Sequence, residues 1–154
     1  MNKTLKKIAN DREILHQHHE SSRPLSKNYE YVGLKGEFQF AKEFGFEIDE
    51  ELRPSGDKGI DFKSAIGTID VKTARKAYNL IVEENKVDSD IYVLAKYIDN
   101  TDTVKLLGWE IKEKVLEAPV RDFGYGIINH YIPKNNLKPM ELLKKRLQWI
   151  ISKY

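Results

Sequence analysis

The stretches that decide the predicted fold lie close together in the chain: Ser55-Gly56-Asp57-Lys58-Gly59-Ile60-Asp61, then Gly67-Thr68-Ile69-Asp70-Val71-Lys72. In the second stretch polar and apolar residues alternate, and this pattern predicts a strand whose successive side chains point to opposite faces. Ile69 and Val71 would face the core, whereas Asp70 and Lys72 would project together from the other face. The sequence therefore predicts a strand with one apolar face and one face that carries an acid beside a lysine.

A predicted hairpin would bring a second acid to this strand. Residues 61–63 and 66–72 are predicted strands, joined by a short turn that contains Gly67. The midpoint between Asp61 and Asp70 falls at that turn, so antiparallel pairing would place the two carboxylates nearly opposite each other. Like charges in such positions destabilise a strand pair. A shared divalent cation would remove the repulsion, because carboxylate oxygens are suitable ligands for it.

Helix and strand patterns alternate along the rest of the chain. A helix is predicted at residues 4–19 and a linker to about residue 31, and a second helix opens at Gly36 and ends at Gly45. The other predicted elements are strands at residues 79–82, 90–99, 103–109 and 126–132, and helices at residues 110–116 and from Pro139 onward. The pattern predicts a single α/β domain, residues 1–154, with a mixed central sheet flanked by helices.

The composition narrows the function classes. Hydrophobic residues make up 40% of the 154 residues, which is enough for one core, and no cysteine is present. This absence excludes disulfides, thiolate nucleophiles and cysteine-ligated zinc or iron-sulfur clusters. No apolar run approaches the ~20 residues that span a bilayer, and no signal peptide is recognised, so we expect a soluble cytoplasmic protein without membrane contact. The net charge of +2 is too small to indicate a polyanionic partner by itself.

Glu37 is the third candidate acid. It falls in the first turn of the helix that is predicted to open at Gly36, and from there it could reach over the sheet. Three carboxylates offer oxygen ligands only, which suits Mg²⁺, with Mn²⁺ as a substitute. A cation beside Lys72 would activate a water molecule and stabilise charge on a phosphate, and hydrolysis of a phosphodiester requires both.

The order of these residues resembles that of the PD-(D/E)XK nuclease superfamily, which includes type II restriction enzymes, archaeal Holliday-junction resolvases and many small phage nucleases. By this resemblance the helix glutamate, the aspartate of the second motif and the acid-x-lysine pair correspond to Glu37, Asp61, Asp70 and Lys72. Ile60 stands where the family has proline before Asp61. Asp57 is a rival for the second-motif position, although Gly56 and Gly59 indicate that it lies in a loop.

The resemblance implies a restriction-endonuclease-like core at residues 36–109, preceded by a helix and linker at residues 1–31 and followed by helices and a strand at residues 110–154. The implied activity is cleavage of DNA, as an endonuclease or an exonuclease. Small nucleases of this kind often form homodimers, and a phage-encoded enzyme would work in the cytoplasm of its host. The sequence does not separate DNA from RNA as the substrate.

The resemblance also implies a role for each site residue. Mg²⁺ would be bound by Asp61, by Asp70 and by the Val71 carbonyl, and Glu37 would bind it directly or through water. Lys72 would orient or deprotonate the attacking water, or offset the charge that develops on the phosphate. Phosphate contacts are expected from residues that follow the strand, namely Thr73, Arg75 and Lys76.

Each of these residues also has an ordinary structural explanation. An Asp-x-Lys pair on a half-buried strand is usually a solvated face, and an aspartate near glycine is usually a turn residue. The nuclease interpretation depends on all four residues occurring in order and on the expected elements. The alternative from another class is a catalytically silent nucleic-acid-binding or assembly protein with the same fold. His16, His18 and His19 are interpreted as a solvated helix end, not as a metal site.

Overall fold

A computed structural model describes residues 28–47 and 62–153 of the chain. The helix predicted at residues 4–19, the three histidines in it, Asp57 and Asp61 lie outside the described residues. In chain order the elements are α1 (Tyr29–Phe44), β1 (Phe62–Ser64), β2 (Gly67–Ala74), β3 (Asn79–Glu83), β4 (Ile91–Ile98), β5 (Thr103–Ile111), α2 (Lys112–Glu117), β6 (Val120–Asp122), β7 (Ile128–Pro133) and α3 (Met140–Lys153). Short 3₁₀ turns follow β3 at Glu84–Lys86 and β7 at Lys134–Asn136.

The strands form two sheets. The main sheet has the order β1-β2-β4-β5, in which β2 and β4 are parallel and the two outer pairs are antiparallel hairpins. This arrangement confirms the mixed sheet in an α/β protein. The small sheet has the order β3-β7-β6 and is antiparallel throughout. The small sheet was not predicted.

The main sheet is covered on both faces. Ile69 and Val93 lie on the face that packs against α1 and α3, and Leu143 of α3 is fully buried there. Tyr92 and Leu94 lie on the other face, where a second core includes side chains of the small sheet. The main sheet therefore lies between a helical layer and the small sheet, as alternation of side chains along its strands requires.

Helix α1 begins earlier than predicted, at Tyr29 rather than at Gly36. Asn28 precedes it with a left-handed backbone (φ 59°), a conformation that asparagine tolerates better than most residues. Gly36 lies in the middle of the helix, where a Cβ atom would come within 1.7 Å of Thr73 Oγ1 on β2. This glycine thus permits close packing of helix on strand and does not mark a helix start. Gly45 ends the helix as predicted, with φ 75° and its N–H donated to the Ala41 carbonyl.

The segment before α3 is attached to the edge of β5. Trp109 N donates to the Lys138 carbonyl (3.0 Å), Lys138 N donates to the Trp109 carbonyl (2.9 Å), and Trp109 Nε1 donates to the Pro139 carbonyl (2.9 Å). Gly108 allows this approach, because a Cβ atom there would lie 2.7 Å from Leu137 Cβ. Gly108 and Trp109 therefore connect the C-terminal helix to the sheet. Among the described helices, none is long and apolar enough to cross a membrane.

Candidate functional site

Asp70 and Lys72 lie near the middle of β2 and project from the same face, as the alternation of the sequence predicts. Lys72 Nζ is 3.0 Å from Asp70 Oδ2. The two side chains are 41% and 15% exposed respectively, so the lysine is accessible to a bound molecule while the acid is largely buried. The strand therefore carries an acid–lysine pair of which the lysine is the part open to solvent.

The hairpin that leads into β2 is also present. Phe62 pairs with Ile69 and Ser64 pairs with Gly67, with the turn at Ala65 and Ile66 between them. Asp61 immediately precedes β1 and lies outside the described residues, so its placement opposite Asp70 stays a prediction, as does the choice between Asp61 and Asp57.

Two residues that the sequence did not single out lie beside Asp70. Asp70 is the register partner of Tyr92 on β4, and Tyr92 is the partner of Glu110 on β5, so the three side chains share one face. Tyr92 is buried, its hydroxyl accepts a hydrogen bond from Ser89 N (3.0 Å), and burial raises its pKa. Glu110 forms an ion pair with Lys138. The proximity of these three residues depends on the order of the strands in the sheet, which local sequence patterns do not show.

The protonation state of Lys72 follows from its surroundings. Burial lowers its pKa, but the charge of Asp70 and the hydrogen bond to that carboxylate act in the opposite direction and raise the pKa above its usual value of 10.5. Lys72 is therefore a charged ammonium at neutral pH. In this state it has no lone pair with which to deprotonate water.

The position of Glu37 differs from the prediction. Because α1 begins at Tyr29, Glu37 lies in the third turn of the helix and not in its first turn. The helix packs on the face of β2 that carries Val71 and Thr73, opposite to the face that carries Asp70. Glu37 is 3% exposed, so it is a buried acid rather than a residue that reaches across open sheet.

The three residues predicted to bind phosphate lie in different surroundings. Thr73 Oγ1 is buried against α1, where it has no hydrogen-bond partner within the described residues, so it does not point to the same side as Lys72. Arg75 is engaged with the β4–β5 hairpin, through Asp99 (Nε to Oδ2, 2.9 Å) and the ring of Tyr97 (5.4 Å). Lys76 is exposed. Of the three, only Lys76 is exposed, and its contact with phosphate stays a prediction.

The side chains available as metal ligands can be compared with those that a divalent cation prefers. The described residues contain no group of three or more histidine, cysteine, aspartate or glutamate side chains that could hold a metal ion, and Asp61 is not among them. Asp70 is an oxygen donor of the kind that Mg²⁺ prefers. Within the described residues, β1 pairs with β2 only as far as Ile69. The edge of β2 at Val71 therefore has no described strand partner. A hard cation held by Asp70, the Val71 carbonyl and a further acid therefore stays a prediction.

Comparison with known proteins identifies no relative of this chain. No protein-family model, no curated protein and no solved structure matches it. The resemblance to the PD-(D/E)XK superfamily is therefore an expectation from the residue pattern, and function has to be argued from geometry.

Proposed function

We propose that this protein is a metal-dependent nuclease that hydrolyses phosphodiester bonds in DNA, with Asp70 and Lys72 in its active site. The observation that carries the proposal is the 3.0 Å contact between these two side chains on the face of β2 opposite to α1, where the lysine is 41% exposed. An acid next to a charged lysine is suited to orient a water molecule and to stabilise the charge on the phosphate in the transition state. A restriction-endonuclease-like core is part of the proposal, supported by the mixed sheet and its β1–β2 hairpin.

The charge of Lys72 favours two of the three roles considered for it over the third, deprotonation of water. Because its pKa is raised, the ammonium persists at neutral pH and can stabilise negative charge as it develops on the phosphate oxygens. Deprotonation of water by this amine would first require loss of its own proton. In the proposed reaction Lys72 therefore holds the phosphate and orients the attacking water by donating hydrogen bonds.

Asp70 would act together with Asp61. Continuing the register of the hairpin by one residue would pair these two acids, so Asp61 is the proposed further acid at the cation site. When bound, Mg²⁺ or Mn²⁺ would supply Lewis-acid stabilisation of the phosphate and an acidified water. Glu37 lies on the helix behind the strand, which favours an indirect role through water or through the position of β2.

One observation favours the catalytically silent alternative. The Asp70–Lys72 contact neutralises the acid internally, and the helix that carries Glu37 covers the other face of β2. A nucleic-acid-binding protein with this fold could keep the pair as a solvated surface feature. Cleavage assays separate the two functions.

The test uses the full chain with linear, circular, single-stranded and branched DNA, and with RNA, in Mg²⁺, Mn²⁺ or EDTA. We expect cleavage in either metal, none in EDTA and loss of cleavage in Asp70→Asn. Lys105→Met is the matched control, because Lys105 is an exposed strand lysine outside the site. Nucleic-acid binding without cleavage in any metal would establish the silent alternative.

A further inference from the structure

A cleft of about 420 Å³ lies between α1 and the start of β5. Its walls include Lys35, Phe38, Lys42, Phe46, Asp102 and Val104. This volume falls within the range of small-molecule sites in proteins. Val104 belongs to the core beneath α1, so the cleft lies on the helical side of the main sheet, away from Asp70 and Lys72.

The acid in the cleft accepts hydrogen bonds from two tyrosine hydroxyls. Asp102 accepts from the hydroxyl of Tyr31 (2.8 Å) and from the hydroxyl of Tyr97 (2.7 Å). Burial, followed by the hydrogen bond to Asp102, raises the pKa of Tyr97 to about 12, so this hydroxyl keeps its proton and donates. Asp102 is therefore already engaged by two hydroxyl donors.

Lys35 is the second charged group of the cleft, and it is 9% exposed. Within the part of the chain that the structure describes, its polar contact is Asp102 Oδ2 at 3.8 Å, which is longer than a hydrogen bond. A buried ammonium is costly unless it is hydrogen-bonded as well as near an opposite charge. An anion bound in the cleft would supply the acceptor that Asp102 does not.

The other walls define the rest of the ligand. Phe38, Phe46 and Val104 provide an apolar surface, and Lys42 adds an exposed positive charge. The Gln39 amide donates to Glu43 (2.7 Å) and is engaged within the helix. Aromatic walls favour a flat apolar body, and two lysines favour a negatively charged end.

We propose that this cleft binds a small aromatic anion of the chemical class of nucleoside monophosphates. The phosphate would accept hydrogen bonds from Lys35 and Lys42, and the base would lie against Phe38 and Phe46. This site is separate from the proposed active site, and the proposal does not depend on nuclease activity.

Isothermal titration in EDTA tests the proposal, with adenosine monophosphate, adenosine and inorganic phosphate as probes. We expect one molecule of adenosine monophosphate per chain, and binding of adenosine or phosphate alone that is weaker by about tenfold or more. Lys35→Met should weaken binding of the nucleotide by about tenfold, because it removes the buried ammonium and retains the apolar stem. Lys105→Met, on the opposite side of β5, should bind like the parent.

Amide chemical shifts of the parent protein provide a second readout that does not depend on any variant folding. Adenosine monophosphate should shift the amides of Ala41 and Val104, which border the cleft, and leave those of Asp70 and Lys72 unchanged. The proposal is overturned by absence of nucleotide binding, by Lys35→Met binding as tightly as the parent, or by shifts confined to Asp70 and Lys72. Binding at Asp70 and Lys72 alone would instead support the proposed active site.

Discussion

Two acid–lysine pairs flank Tyr92 on one face of the main sheet, and they differ in construction. Asp70 and Lys72 are two residues apart on the same strand, and the lysine is 41% exposed. Glu110 and Lys138 are 28 residues apart, and their side chains are 8% and 37% exposed, close to the 15% of Asp70 and the 41% of Lys72. The two pairs are therefore similarly exposed, but the first lies within one strand, whereas the second connects β5 to the segment that leads into α3.

This difference helps to distinguish a charged pair with a role in function from one that maintains the fold. A pair within one strand joins no distant segments, and with a lysine that is 41% exposed it should contribute at most about 1 kcal/mol to stability, so its removal should leave the fold in place. A long-range pair holds distant segments together, and loss of its lysine leaves the largely buried Glu110 carboxylate without an ion-pair partner. We therefore assign function to Asp70 and Lys72 and fold maintenance to Glu110 and Lys138.

The largest expected effect is the loss of cleavage activity in the Lys72→Met variant. Loss of the ammonium should reduce kcat/KM by about 100-fold or more, because transition-state charge is no longer stabilised. The free energy of unfolding should change by less than ~1 kcal/mol. Single-turnover cleavage and urea denaturation measure the two quantities on the same preparation.

Lys72→Arg is the control for this substitution. Arginine keeps the positive charge but has different geometry, so it should retain more activity than methionine does. Equal and complete loss of cleavage in both variants would argue against a purely electrostatic role. Undiminished cleavage in Lys72→Met would show that the local pair is only a solvated surface feature.

The next largest effect should be on stability, in Lys138→Met. This change removes the ion-pair partner of the buried Glu110 carboxylate, which keeps its hydrogen bond from Ile111 N, and removes a cation from the ring of Trp109 (5.4 Å), so we expect a loss of about 2 kcal/mol in the free energy of unfolding. Cleavage per folded molecule should stay within about twofold of the parent. A selective loss of cleavage at unchanged stability would reverse the assignment of the two pairs.

Gly108→Ala tests whether the second pair depends on close docking of its segment. The added Cβ would lie 2.7 Å from Leu137 Cβ, and such overpacking typically costs about 1–3 kcal/mol. Gly33→Ala is the matched glycine control, because its Cβ meets nothing within 4 Å in α1 and should stabilise the helix by up to ~1 kcal/mol. Thermal unfolding of both variants gives the comparison, and equal effects would contradict the docking account.

The elements of the fold were more predictable than their arrangement. The β-rich run around Val93 and the turn at Asp99 determine strands β4 and β5 locally, and the structure confirms both strands and pairs them as a hairpin. The small sheet was missed because β3 pairs with β7 across a long stretch of chain, and β6 is only three exposed residues without apolar alternation. The start of α1 was misplaced because Gly36 was interpreted from local helix propensity, whereas its role is contact with Thr73.

The candidate site shows the same limit. The shared face of Asp70 and Lys72 follows from residue parity along a single strand and was predictable. The neighbours Tyr92 and Glu110 depend on strand order, and the burial of Glu37 depends on which face α1 covers. These are non-local properties, so a pattern within one stretch of sequence does not contain them.

The smallest expected effect is the pH dependence of stability that the Asp70–Lys72 pair produces. The folded-state pKa of Lys72 is raised above 10.5, so its stabilising contribution is fully present below the unfolded pKa and is lost as pH rises through the folded pKa. The difference in unfolding free energy between the parent and Lys72→Met should therefore be constant between about pH 8 and pH 10 and should shrink above that range. Tyr31 and Tyr97 also have raised pKa values and lose stabilisation at alkaline pH, but they do so in both proteins and cancel in the difference. Urea denaturation of both proteins at each pH in EDTA measures this difference in unfolding free energy. A difference that already shrinks below about pH 9 would mean that the pKa of Lys72 is lowered, and Lys72 would then become a candidate general base.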